Sequence, residues 1–265
     1  MSSLSNSLVV VLENKGGVGK STLSGIVAAT ATGQGLRIRF ADSDMSNSST
    51  AQVQPDTYPV DLREDEASGT ILVILAEIAN GTFEVGIWDT GAREEPLVRK
   101  TLEKIRSTAA QLGVALVIFR PITTNHFVQD NAIDCIPFAK KNGFGVVYAT
   151  ILAQGRREKD MMGWRISKAR SEASEYAVEI DIESMGAVIA DNASSFSMSF
   201  SDVALGRFDN VPERYRERAK EKFGLEQQMF MAAFLEQMTT RVGSAVAEAR
   251  KRMITGSDRK KATTK

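Results

Sequence analysis

Two hydrophobic periods trade places along the first 150 residues. Leu8 to Leu12 is an unbroken apolar run, the pattern of a parallel strand buried on both faces. Leu36–Ala41, Phe83–Trp88, Val114–Phe119 and Phe144–Leu152 follow as further strands. Between them lie stretches with helical spacing: Lys20 to Thr32 closed by Gly33 and Gly35, Thr70–Ala79, a segment opened by Pro96, and Asn125–Lys141. Pro96 sits where a first-turn proline belongs, and Val98, Leu102, Ile105 and Ala109 recur on one side until Gly113. Strands separated by helices of this length require right-handed crossovers and a parallel sheet. The pattern predicts an α/β fold: a doubly wound, mostly parallel sheet with helices on both faces.

After Leu152 the periodicity is weaker. Arg156–Ser174 is polar and helical around Trp164, Ala177–Ile182 and Gly186–Ala190 have the composition of short strands, and Asn192–Asp202 is a serine-rich loop. Pro212 opens a charged helix with Arg214, Arg218 and Lys222 on one face and Glu213, Glu217 and Glu221 beside them. A last helix from Leu225 places Met231, Leu235, Met238, Val242, Val246, Ala249 and Met253 along one side. No internal repeat or domain linker interrupts the chain. Residues 1–249 are expected to form one domain that includes these helices, and 250–265 a basic, disordered tail.

Composition narrows the class. The 265 residues carry 33 Lys+Arg, 33 Asp+Glu and 43% hydrophobic side chains, which is enough to bury a full core and too apolar for wholesale disorder. The balance hides an asymmetry: residues 250–265 hold seven basic residues and one acid, so that segment is +6 and the remainder −6. A basic end on an acidic body is either an arm for phosphate-rich partners or a solvated terminus. Cys135 is the only cysteine, which excludes a disulfide framework and a multi-thiolate cluster within one chain. No apolar run reaches membrane-spanning length and no secretory signal is visible, so a cytoplasmic protein is expected.

The sharpest chemical signal is Asn14-Lys15-Gly16-Gly17-Val18-Gly19-Lys20-Ser21-Thr22, set between a buried strand and a helix. Glycines let a loop wrap an anion with its N–H groups inward, and the helix that follows adds its positive end. Lys20 can reach terminal phosphates, and the Ser21 hydroxyl suits Mg²⁺. The ordinary P-loop formula has glycine where this chain has Asn14, and here a second lysine, Lys15, stands at the mouth of the loop.

This Lys-Gly-Gly-x-Gly-Lys-Ser/Thr variant resembles the deviant Walker A motif of the ParA/MinD family of P-loop ATPases. The resemblance covers about Val9–Pro121. It implies ATP and Mg²⁺ as ligands, cradled by Lys15, Gly16, Gly17, Val18, Gly19, Lys20, Ser21 and Thr22. It also implies a homodimer formed with ATP, in which Lys15 crosses to the partner's nucleotide. Ala41-Asp42-Ser43-Asp44 resembles the family's first switch, and Ile87-Trp88-Asp89-Thr90-Gly91-Ala92 its Walker B strand and second switch. By that resemblance Asp44 orients the attacking water, while Ser21, Asp42 and Asp89 serve the magnesium. The catalytic set is then Lys15, Lys20 and Asp44, for slow, partner-stimulated ATP hydrolysis. Met45-Ser46-Asn47 stands where the family often continues Pro-Gln, and Leu152-Ala153-Gln154-Gly155 has no equivalent of its adenine-reading Asn.

The resemblance leaves the task open among three readings. The first is a partition or positioning switch for plasmid, chromosome or other cargo that binds DNA without sequence preference. Its contacts would come from Arg156, Arg157, Lys168, Arg170, Arg214, Arg218, Lys222 and the basic end, which would place it on the bacterial nucleoid. The second is a conjugation- or complex-associated scaffold that recruits a protein without DNA. The third is a MinD-like membrane-associated protein, for which Arg241–Ile254 is poorly suited because its apolar side has no Phe, Trp or Leu. No membrane anchor is expected, and the cargo or stimulating protein is not identified by the sequence. His126, the only histidine, has no assigned role.

Overall fold

The structure, a computed structural model, describes residues 3–44, 53–54, 56–63, 67–151, 161–185 and 187–262. Within them the chain runs β1 (Ser7–Val11), α1 (Lys20–Gly33), β2 (Ile38–Asp42), β3 (Tyr58–Pro59), α2 (Ala67–Ala79), β4 (Val85–Asp89), α3 (Glu95–Gln111), β5 (Ala115–Ile122), α4 (His126–Asn142) and β6 (Gly145–Ile151). It continues with α5 (Met162–Arg165), α6 (Lys168–Ser174), β7 (Val178–Ile182), α7 (Ala187–Ser195), α8 (Phe200–Leu205), α9 (Glu213–Lys222) and α10 (Leu225–Ala262).

All seven strands pair in parallel in the order β3-β2-β4-β1-β5-β6-β7. The chain leaves the central β1 toward one edge, returns through β4, and then builds toward the other. Such a change of direction opens a crevice at the carboxyl ends of the central strands. Successive residues of β1 feed opposite cores. Val9 and Val11 pack with Leu23, Ile26 and Val27 of α1 and with Met231, Met238 and Val242 of α10. Leu8, Val10 and Leu12 pack with the inner faces of α2, α3 and α4, including the buried thiol of Cys135. Burial on both sides is why β1 carries no polar alternation.

Three departures from expectation have local causes. β5 runs on past Phe119 through Arg120 and Pro121 to Ile122. The proline is tolerated because β1 stops pairing at Phe119, so the missing N–H faces no strand partner. The expected strand at Gly186–Ala190 is instead the start of α7, Gly186 itself lying outside the described residues. Four small and β-branched residues carry too little periodicity to separate the two states. α7 and α8 also take both ends of the segment expected to be a serine-rich loop.

The basic end behaves differently from a disordered tail over most of its length. α10 continues without a break through Arg250 to Ala262. Arg250 donates to the carbonyls of Ser3 and Ser5, and Arg252 to those of Ser174 and Ala177. Those backbone acceptors, together with the core contacts of Val242, Val246 and Ala249, carry the helix across the boundary expected at 249/250. Among the described residues no helix is long and apolar enough to cross a membrane.

Candidate functional site

The glycine-rich loop leaves β1 at the carboxyl edge of the sheet and enters α1 at Lys20. Gly17 and Gly19 take positive φ, 70° and 92°, which side chains with a Cβ resist. Gly19 forms the N-cap of α1 with no side-chain cap, and the first turn carries no acid. The leading N–H groups of α1 and its positive end are therefore suited to receive an anion.

The two lysines have opposite surroundings. Lys20 is buried, only 8% exposed, with its Nζ donating to the Lys15 carbonyl at 3.2 Å. Burial lowers its pKa, against the pull of Asp89, Glu13, Asp44 and Glu94. Lys15 is exposed at the mouth of the loop, its backbone N–H donating to Glu13. One ammonium is thus fixed inside the site and the other projects from it.

The sequence-expected acids meet the lysines at the same edge. Asp42 ends β2 and Asp89 ends β4, and the two are direct partners in the parallel register. Ser43 N–H donates to the Asp89 carbonyl, and Asp44 N–H to Asp42 Oδ1 at 2.8 Å. Burial pushes the Asp42 carboxyl up to about 7, its bond from Asp44 N–H opposing, with Asp89 adding to the rise. Its Oδ2 is buried without a hydrogen-bond partner among the described residues. The acidic edge therefore has unmet capacity for a cation. Ser21 is exposed and Thr22 half-buried in the first turn of α1.

Several residues at this site escape sequence reasoning. Arg120 on β5, fully buried, reaches Glu13 before the loop and Glu95 at the start of α3, each at 2.7 Å. Glu13 also accepts from Asn131 of α4. The loop between β4 and α3 is tied to the glycine-rich loop by Arg93 N–H donating to the Asn14 carbonyl at 2.8 Å. A charged residue at the end of a buried strand, and an acid immediately before the loop, were the available signals.

Beside the glycine-rich loop opens a cavity of about 520 Å³. Its far wall is built from Asn125, His126 and Phe127 at the start of α4 and Glu183, Ser184 and Met185 after β7. The segment searched for an adenine-reading Asn, 152–155, lies outside the described residues, as do Met45-Ser46-Asn47, Arg156 and Arg157. A second cavity of about 420 Å³ lies on the outer side of α1, between it and α8.

Residues 9–253 match the family described as the CobQ/CobB/MinD/ParA nucleotide binding domain, CbiA. No functionally curated protein matches the sequence. Among solved structures, apo McdA from Cyanothece is 16% identical, with 82% of this chain and 99% of that chain covered at a TM-score of 0.50. MinD complexed with Mg-ADP from Pyrococcus horikoshii is 12% identical, covering 92% and 98% at 0.49. MinD in the MinC:MinD complex of Aquifex aeolicus is 14% identical, covering 81% and 94% at 0.48. At these identities the likeness to McdA concerns the fold alone.

Proposed function

Because the chain belongs to the CobQ/CobB/MinD/ParA nucleotide-binding family, we propose that it is an ATPase of the ParA/MinD type that dimerises around ATP and works as a positioning switch. The observation that carries this reading is the division of labour between the lysines: Lys20 buried at the floor of the loop, Lys15 exposed at its mouth. A triphosphate enclosed between two subunits needs more positive charge than one loop supplies. Lys15, exposed at the mouth of the loop, would supply it across the interface.

ATP and Mg²⁺ fit the residues present. The uncapped start of α1 accepts phosphate, and the buried, unsatisfied Oδ2 of Asp42 beside Asp89 suits a hydrated divalent cation. Ser21 with Asp42 and Asp89 would hold the ion, which supplies neutralisation of phosphate charge. Asp44 follows that pair and orients the attacking water, while Lys20 and the loop N–H groups meet the charge that develops on the transferred group. The cavity walled by Phe127 and Met185 takes the base.

In the ATP dimer, Lys168 and the exposed α9 face bearing Arg214, Arg218 and Lys222 contact DNA phosphates without sequence preference. A second reading, a scaffold that recruits a protein and not DNA, is favoured by a specific observation. Arg170, Arg250 and Arg252 are committed to Glu179 or to backbone carbonyls within the chain, which leaves fewer cations to meet phosphate. Binding to random-sequence DNA, measured with ATP and with ADP across a salt series, separates the two. ATP-dependent binding that weakens steeply with salt supports the positioning switch. Absent or nucleotide-independent binding favours the scaffold.

A further inference from the structure

The loop joining β4 to α3 contains an internal anion. Glu94 Oε2 accepts from Gly91 N–H at 2.9 Å and from Ser43 Oγ at 2.8 Å. Ser43 lies between Asp42 and Asp44 after β2, and Gly91 follows Asp89 after β4. Both donors therefore sit at the edge where the glycine-rich loop delivers Lys20, whose ammonium feels the charge of Glu94. The approach is close enough to need a glycine: a Cβ on Gly91 would lie 2.6 Å from Glu94 Cδ. The carboxylate is half-buried, repelled by Asp44, and burial raises its pKa. The loop holding it carries Arg93 at φ 67°, a left-handed conformation for a residue with a Cβ, closed by the Arg93–Asn14 backbone bond.

We propose that the Glu94 carboxylate occupies, in the nucleotide-free chain, the donors that a terminal phosphate would take, so that ATP displaces it and ADP does not. The inference rests on reading this site as an ATP site. An N–H and a hydroxyl that converge on one carboxylate oxygen are equally suited to a phosphate oxygen. A γ-phosphate beside Lys20 meets a like charge as long as Glu94 remains. A diphosphate, one phosphoryl group shorter, would leave the bonds of both donors to Glu94 in place. Glu94 is thus a specificity residue: it sets how strongly the site prefers a triphosphate. The differential contact needed for a two-state switch is supplied by one group that only ATP carries.

The test is calorimetric binding of Mg²⁺ with a non-hydrolysable ATP analogue, and of Mg²⁺ with ADP, to the full chain and to Glu94→Gln and Glu94→Ala. Glu94→Gln keeps the size and removes the charge; Glu94→Ala removes the group. Thermal melts of each variant check the fold. The expected result is a gain of roughly tenfold in triphosphate affinity in both variants with ADP affinity unchanged. An equal change for both nucleotides, no change, or a loss of triphosphate affinity overturns the proposal. If the unmodified chain binds neither nucleotide, the ATP reading of the site fails first. If it binds both and the variants leave their ratio unaltered, only the role of Glu94 fails.

Discussion

Arg120 and Glu13 form an ion pair of 2.7 Å with both side chains wholly removed from solvent. The same guanidinium holds Glu95 at the first position of α3, so one side chain on β5 fixes the start of the glycine-rich loop to the end of the loop after β4. Breaking a buried pair leaves an uncompensated charge, which costs far more than the net value of the pair. Arg120→Met leaves two carboxylates facing each other and should destabilise the chain by about 3–5 kcal/mol. Denaturant unfolding measures this directly. A cost below about 1 kcal/mol, the level of an exposed pair, would mean that the cluster is solvated.

Acid sensitivity follows from the same cluster. Burial pushes the Glu95 carboxyl up, but Arg120 and Arg99 overcome it and hold the group below the ordinary carboxylate range. A depressed carboxyl contributes stability that is complete above its unfolded pKa of about 4.3 and disappears as pH falls through the lower folded value. Glu95→Gln should therefore be less stable than the parent at pH 7, with the difference shrinking below about pH 4. Melting temperatures across pH 3–8 would show it, and a difference independent of pH would contradict it.

Removing the buried ammonium should be the most damaging change to ligand binding. Lys20→Ala is expected to lose about 2–5 kcal/mol of nucleotide affinity, the usual cost of truncating a buried charge partner. Titration with a fluorescent ATP analogue checks this, and near-parental affinity would remove Lys20 from the phosphate site.

Asp44→Ala separates hydrolysis from assembly. If Asp44 orients the attacking water, its loss should lower turnover roughly a hundredfold or more while ATP-dependent self-association persists. Phosphate release together with size measurement tests both halves. Parental turnover would exclude Asp44 from the chemistry.

The sheet and its main helices were legible because most of them bury a regular face. The α10 stripe from Met231 to Val246 enters the core as its spacing predicts. Asp42 and Asp89 fall at neighbouring strand ends because consecutive parallel strands deliver their carboxyl termini to one edge. What stayed hidden depends on contacts distant in sequence. Glu94 and Glu95 look like ordinary first-turn acids, yet one turns toward Ser43 and Gly91 and the other toward Arg120. The far wall of the cavity joins residues near 125 with residues near 184, which no local pattern brings together. β3 is only two residues long inside a polar stretch, below the length at which alternation has meaning.

Light-scattering mass measurement of the parent and Lys15→Ala with ATP, ADP or no nucleotide shows whether the exposed lysine couples nucleotide to assembly. The parent should show a mass near twice 28.9 kDa with ATP alone, and Lys15→Ala should stay a monomer that still binds ATP. Lys15→Ala dimerising with ATP as fully as the parent would contradict this coupling.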